Sequence, residues 1–211
     1  MSTTISGFIN VVNEAISTNK EFLTELDGVI GDADHGINMA RGFNAVVQKI
    51  TEADTDIGSS LKKVGMTLIS TVGGASGPLY GTAFMKAGSE VIGKSTLDAT
   101  DIEKMITAAL NGIKDRGKAV RGEKTVIDAI EPALEAFKNA LEASEPLQVC
   151  LDKAIEAAEA GIEFTKTIRA TKGRASYLGD RSIGHQDPGA TSFLIMLKAA
   201  TEHYKTKVLE V

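Results

Sequence analysis

Cysteine is nearly absent: Cys150 is the only one in 211 residues. No disulfide can close within the chain, and a thiolate metal cluster is excluded. Long apolar runs are missing too, since no stretch approaches the roughly 20 apolar residues a membrane-spanning helix needs. The N-terminus MSTTISGFINVV has no basic segment leading into an apolar one, which predicts a cytoplasmic protein without a membrane association. An excess of positive charge is also lacking. Lys and Arg number 23 against 28 Asp and Glu, a formal net charge of −5, whereas non-specific nucleic-acid binding needs a basic surface. Any anion bound here requires a local site.

Alternating strand-like runs bounded by turn residues are absent, and the best candidate, Leu68 to Val72, continues a helical stripe. What is present is helical periodicity almost throughout: Phe8, Ile9, Val12 and Ile16; Met39, Phe43, Val46 and Ile50; Ile57, Leu61, Val64 and Leu68; Ile102, Ile106, Leu110 and Ile113. The pattern predicts an all-α protein of six to eight helices. Alanine-rich stretches such as ALEAFKNALEA and AIEAAEAG suit closely approaching helices in an antiparallel bundle. With 43 % hydrophobic and 24 % charged residues and no linker, residues 1–211 read as one globular domain.

Helix ends carry their own signals. Thr100 with Glu103 predicts a capping box, and Asp187 before Pro188 predicts an N-cap followed by proline at the first helical position. Pro78 and Pro146 suit helix starts, and Pro132 a start or a kink.

Four glycine-rich loops interrupt the helices: DGVIGDADHG, VGGASGPLYG, DRGKAVRGEKT and KGRASYLGDRSIGHQDPGATS. Glycine lets backbone approach a ligand, and function concentrates in loops. The first loop holds Asp27, Asp32 and Asp34. Carboxylates so close repel one another unless a cation neutralises them, and hard oxygen donors suit magnesium or calcium. A calcium EF-hand starting at Asp32 fails, because its position 5 is Gly36 and its position 12 is Phe43. Magnesium held by carboxylates and substrate phosphates fits better; turn formation by Asp beside Gly is the alternative.

In the second loop Ser76 and small residues precede a helix expected near Pro78, an arrangement that suits an anion. A Walker A loop is absent. GHQDPGAT (184–191) has alanine where lysine belongs, and GKAVRGEKT has one residue too many. Arg116, Lys118, Arg121 and Lys124, then Lys172, Arg174 and Arg181, crowd the other two loops as phosphate ligands or as solvated surface. His35 and His185 each lie near an aspartate, as ligand contacts or proton carriers. Acidic metal ligands, a small-residue cradle and arginines together suit a magnesium nucleotide.

The segments LDGVIGDADHGINMARGF, GMTLISTVGGASGPLYGTAF and KGRASYLGDRSIGHQDPGATS closely resemble the nucleotide-binding L subunits of dihydroxyacetone kinases, in the same order from about Phe22 to Leu197. The resemblance implies an antiparallel barrel of about eight amphipathic helices with the nucleotide in loops at one rim. It implies Asp27, Asp32 and Asp34 as ligands of two magnesium ions. It implies His35, Gly36, Ile37, Asn38, Ala75, Ser76, Gly117, Val126, Arg174, Asp187, Pro188 and Gly189 as contacts of bound ADP or ATP.

Members of that family work in two modes. In the phosphoenolpyruvate-dependent mode ADP stays on L, receives phosphate from a phosphohistidine on an M subunit and passes it to dihydroxyacetone on a K subunit. In the ATP-dependent mode, K-like and L-like domains share a longer chain and ATP exchanges for ADP. A chain of 211 residues favours the first mode. Its expected partners are the K and M subunits, in a homodimer or a heteromeric complex, with a transcriptional regulator as a further partner. The expected chemistry is charge neutralisation by the magnesium site and Arg174, with no covalent nucleophile. Two other readings are an ATP-exchanging kinase component for another substrate and a regulatory module switched by its nucleotide state.

Overall fold

The computed structural model describes residues 4–209. Among them are nine α-helices and one 3-10 segment: α1 (Ile5–Thr18), α2 (Lys20–Ile30), α3 (His35–Val47), α4 (Ile57–Thr71), α5 (Ser76–Glu90), α6 (Ala99–Gly117), α7 (Ile127–Glu142), α8 (Leu147–Thr167), the 3-10 segment Arg174–Ser182, and α9 (Pro188–Leu209). The all-α expectation holds. The count exceeds six to eight because Asn19 alone separates α1 from α2.

Contacts between helices close into a ring. Each of α3 to α9 packs on the next, and α1 packs on both α9 and α3. Eight helices therefore form the barrel, while α2 lies against α3, α9 and the 3-10 segment. No helix among the described residues is long and apolar enough to cross a membrane.

Local sequence explains the helix starts. Thr4 Oγ1 accepts the Gly7 N–H at 3.2 Å, and Asp56 Oδ1 accepts that of Ser59 at 3.0 Å. The capping box of α6 is not the expected Thr100–Glu103 pair but Asp98 with Asp101: Asp98 Oδ1 accepts the Asp101 N–H at 2.8 Å, and Asp101 Oδ2 accepts that of Asp98 at 3.3 Å. The extended residue is Asp98, so Thr100 already lies in the first turn, and Glu103 pairs with Lys138 at 3.1 Å. Pro146 immediately precedes α8, Pro78 is the third residue of α5, and Pro188 opens α9.

Packing follows the stripes read from the sequence. Phe43, Leu68, Ile113 and Ile127 are fully enclosed in one core, and Phe137 and Cys150 in a second, alanine-rich one between α7, α8 and α9. Pro132 lies inside α7, supplying no N–H to the Asp128 carbonyl; a Cβ on Gly161 of α8 would stand 2.1 Å from that oxygen. Glycine there lets the two helices meet at backbone distance.

Candidate functional site

The acidic loop is built by its own residues. Asp27, in the last turn of α2, reaches across so that its Oδ2 accepts the N–H groups of Asp34 at 2.9 Å and His35 at 3.1 Å. It thereby satisfies donors at the start of α3 that otherwise lack an intrahelical partner. Asp34 makes no side-chain cap bond of its own. Ala33 adopts the left-handed region with φ 59°, and Gly31 admits no side chain, since its Cβ would fall 2.0 Å from Asp27 Oδ1. Asp27, Asp32 and Asp34 each present an oxygen, all within 4.8 Å of one another. Three convergent hard donors fit a divalent cation of the magnesium type.

Behind this loop lies His35, 7 % exposed. Its Nδ1 is 3.1 Å from Ser76 Oγ and its Nε2 is 3.0 Å from Ser192 Oγ. Ser192 Oγ in turn lies 2.9 Å from the hydroxyl of Tyr80, which donates to the Gly189 carbonyl at 2.8 Å. Burial holds the imidazole below its ordinary pKa, with Asp27 and Asp34 pulling the other way. Both ring nitrogens are engaged by hydroxyls, so the ring orients Ser76 at the first turn of α5.

Ser76 opens that helix after Gly73, Gly74 at φ 65° and Ala75. Ala75 provides no side-chain cap, which leaves N–H groups of the first turn pointing from the helix's positive end. These features open onto one cavity of about 470 Å³. Its wall includes Asp27, Asp32, Asp34, His35, Asn38, Ala75, Ser76, Gly117, Val126, Arg174, Asp187, Pro188 and Gly189, thirteen of the fifteen site residues expected from the sequence. The other two, Gly36 and Ile37, are outside it. Gly36 packs on α2, where a Cβ would stand 2.0 Å from the Lys20 carbonyl oxygen, and Ile37 is 48 % exposed.

Arg174 Nη2 is 2.8 Å from Asp32 Oδ2. The other basic residues divide. Arg116 and Lys172 also line the cavity, Arg121 pairs with Glu135 at 3.1 Å, and Lys118 and Arg181 are exposed outside it. Lys124 also borders the cavity, but it is 1 % exposed and its ammonium donates to backbone carbonyls, so it is neither a solvated surface lysine nor a free phosphate ligand. His185 is exposed, and its carbonyl is one of those acceptors.

Asp187 caps α9 as expected, its Oδ2 accepting the Ala190 N–H at 2.7 Å. Its carboxyl is pushed up to about 7, chiefly by burial; the Ala190 N–H opposes this, Asp128 reinforces it, Lys124 opposes it and Asp27 adds to it. Tyr80, Ser192, Thr165 and the buried role of Lys124 escaped the sequence reading. Only the small-residue spacing around Tyr80 hinted at its close packing.

An all-helical barrel carries a carboxylate cluster and a helix N-terminus at one cavity, and the chain belongs to the DAK2 domain family, which matches residues 29–202. Within that family it is 46 % identical over 197 residues to the Escherichia coli K12 protein named PEP-dependent dihydroxyacetone kinase, ADP-binding subunit DhaL, covering 93 % of this chain and 94 % of that one. It is 47 % identical over 193 residues to the corresponding subunit of the Listeria innocua PEP-dependent dihydroxyacetone kinase 1, covering 91 % of each. Among solved structures, the C. freundii dihydroxyacetone kinase in complex with AMP-PNP and Mg2+ superposes with a TM-score of 0.69 at 25 % identity, over 94 % of this chain and 33 % of that one. This chain thus spans about one third of that kinase and nearly all of the two DhaL subunits.

Proposed function

We propose that this chain is the ADP-binding subunit of a phosphoenolpyruvate-dependent dihydroxyacetone kinase. The observation that carries the reading is the convergence of Asp27, Asp32 and Asp34 beside the open first turn of α5 and the guanidinium of Arg174, all on one cavity. Its similarity to DhaL subunits over more than nine-tenths of both chains supports the same role.

In this reading Asp27, Asp32 and Asp34 hold two magnesium ions. Ala75, Ser76 and Arg174 neutralise phosphate oxygens through backbone N–H groups, a hydroxyl and a guanidinium. His35 keeps the Ser76 hydroxyl in place, and Asn38 supports the turn at Gly73. Gly117, Val126 and Asp187–Gly189 wall the nucleoside. When bound, the magnesium nucleotide supplies a phosphoryl relay between a phosphohistidine on an M-type partner and dihydroxyacetone on a K-type partner. The residues of this chain position that group and neutralise its charge, and none of them serves as a covalent nucleophile.

The test is to purify the protein without added nucleotide, denature it, and quantify what it releases. Near one ADP and about two magnesium ions per chain are expected, as a two-metal phosphate clamp requires. A folded protein that releases neither and binds ATP only weakly and reversibly would overturn the retained-cofactor role in favour of an exchanging kinase component.

A further inference from the structure

Lysine is seldom fully buried, because an ammonium leaves water only where its donors and its charge are satisfied. Lys124 meets both conditions. It is 1 % exposed and stands in the left-handed region at φ 61°. Its ammonium donates to the carbonyls of Thr165 and His185 and, at 3.5 Å, of Ile168. Three N–H donors thus meet three acceptors. Burial lowers its pKa, while Asp187 and then Asp128 favour the charged form.

These acceptors belong to distinct pieces of backbone. Thr165 is in the last turn of α8, Ile168 follows it, and His185 lies in the turn leading to α9. Lys124 itself belongs to the loop between α6 and α7, which presents Ala119, Thr125 and Val126 to the cavity. The segment after α8 presents Arg174 and Asp187 to that cavity. Thr171 Oγ1 donates to Glu123 Oε1 at 3.1 Å from this segment to the loop, and the Asp187 N–H donates to Thr165 Oγ1 at 3.0 Å within the segment. Because all three Lys124 donors are engaged, its part in the site lies in fixing backbone.

We propose that Lys124 is a positioning residue that clamps the loop 118–126 to the segment 165–187, so that the two walls of the cavity close on the nucleotide as one unit and retention depends on the clamp. The proposal rests on the ADP-binding reading above. The acid triad stands on the other side of the cavity, held by Asp27 and α3, and meets the clamped segment through Arg174, 2.8 Å from Asp32. Loss of the clamp therefore weakens nucleotide retention and spares metal binding at the triad.

The experiment compares wild-type protein with Lys124→Met and the milder Lys124→Gln. It measures ADP dissociation in the presence of magnesium, and Mn²⁺ binding without nucleotide. Lys124→Met is expected to release ADP about tenfold faster, an ordinary size for coupling between a ligand and a mobile element. Lys124→Gln should fall between it and wild type, and Mn²⁺ affinity should not fall in either. Unchanged ADP dissociation in either folded variant overturns the clamp, as does an equal loss of Mn²⁺ and ADP affinity.

Should neither variant fold, hydrogen exchange of the wild-type protein decides. Magnesium ADP should protect 118–126 and 165–187 together, and protection of one without the other overturns the proposal. Wild-type protein that binds no ADP would defeat the functional reading instead. The clamp would then stand or fall by whether Lys124→Gln raises exchange in both segments.

Discussion

The Arg174 guanidinium lies 2.8 Å from the Asp32 carboxylate, joining the 3-10 segment to the acidic loop between α2 and α3. The side chains are 65 % and 35 % exposed, so the pair stabilises the fold by at most about 1 kcal/mol. Its importance would lie in competition, because a cation on Asp32 would contend with the same guanidinium for that carboxylate. Arg174→Ala should tighten Mn²⁺ binding to nucleotide-free protein by about two- to fivefold, the range that energy allows. ADP binding should weaken at the same time, through loss of a bidentate donor. Electron paramagnetic resonance of free Mn²⁺ and calorimetry with ADP provide the two readouts. Weaker binding of both ligands would show that the pair orders the loop and does not compete with the metal.

Asp27 and Asp32 are both expected metal ligands, yet they differ in what else they hold. Asp27 accepts two backbone N–H groups at the start of α3, whereas Asp32 is joined to Arg174. Asp32→Ala should therefore abolish phosphorylation of dihydroxyacetone with little change in Tm. Asp27→Ala should also abolish it, and in addition lower stability by about 1–3 kcal/mol, the usual cost of stranding charge-assisted partners. That corresponds to a fall in Tm of roughly 2–4 °C per kcal/mol for a chain of this size. Thermal melts of nucleotide-free protein separate the two; equal melting temperatures would contradict the capping role of Asp27.

Glycines also set the distance between α4 and α5. A Cβ on Gly65 would stand 2.5 Å from the Gly81 carbonyl oxygen and from Met85 Cγ, and one on Gly88 would lie 2.6 Å from the Gly58 carbonyl oxygen. Alanine ordinarily gains about 1 kcal/mol over glycine inside a helix, but a clash with backbone outweighs it. Gly65→Ala should lose about 2 kcal/mol and lower Tm by about 4–8 °C. Gly112→Ala meets only side-chain atoms, Lys86 Cγ at 2.9 Å and Thr82 Cγ2 at 3.2 Å, which can shift where backbone cannot. Its Tm should fall by no more than about 3 °C. Equal losses would mean that helix separation is not what these glycines set.

The barrel was legible because burial imposes a helical period on Phe43, Val46, Leu61, Val64 and Leu68, all buried. The acid triad was legible because three carboxylates within one short loop have few ways to avoid one another. Gly36 and Ile37, in the same contiguous run, lie off the cavity wall. A helix beginning at His35 turns residues 35 and 38 toward one side and 36 and 37 away from it. Lys124 was illegible for a different reason. Its partners are carbonyls, which every residue carries, so no side-chain pattern distinguishes a buried lysine from a solvated one. The α6 cap falls on Asp98 and not on Thr100, because the chain leaves its extended conformation at Asp98.

Asp187 links stability to pH in an unusual direction for a carboxylate. Its folded pKa is about 7, raised chiefly by burial, against about 4 for an unfolded aspartate. Across that interval the folded state binds more protons than the unfolded one. The stabilisation is thus complete below about pH 4 and is lost as pH rises through 7. His35, whose pKa is lowered by burial, acts oppositely, its contribution being present above 6.5 and lost as pH falls, so a simple pH profile of wild type mixes the two. Asp187→Asn isolates one of them, because asparagine still serves as an N-cap for α9 and does not titrate. Relative to wild type, the variant should gain on the order of 2–3 kcal/mol between pH 5 and pH 8, read as a difference in Tm of several degrees. A constant difference across that range would place the Asp187 carboxylate in solvent contact and remove the coupling between the α9 cap and the charge of the cavity.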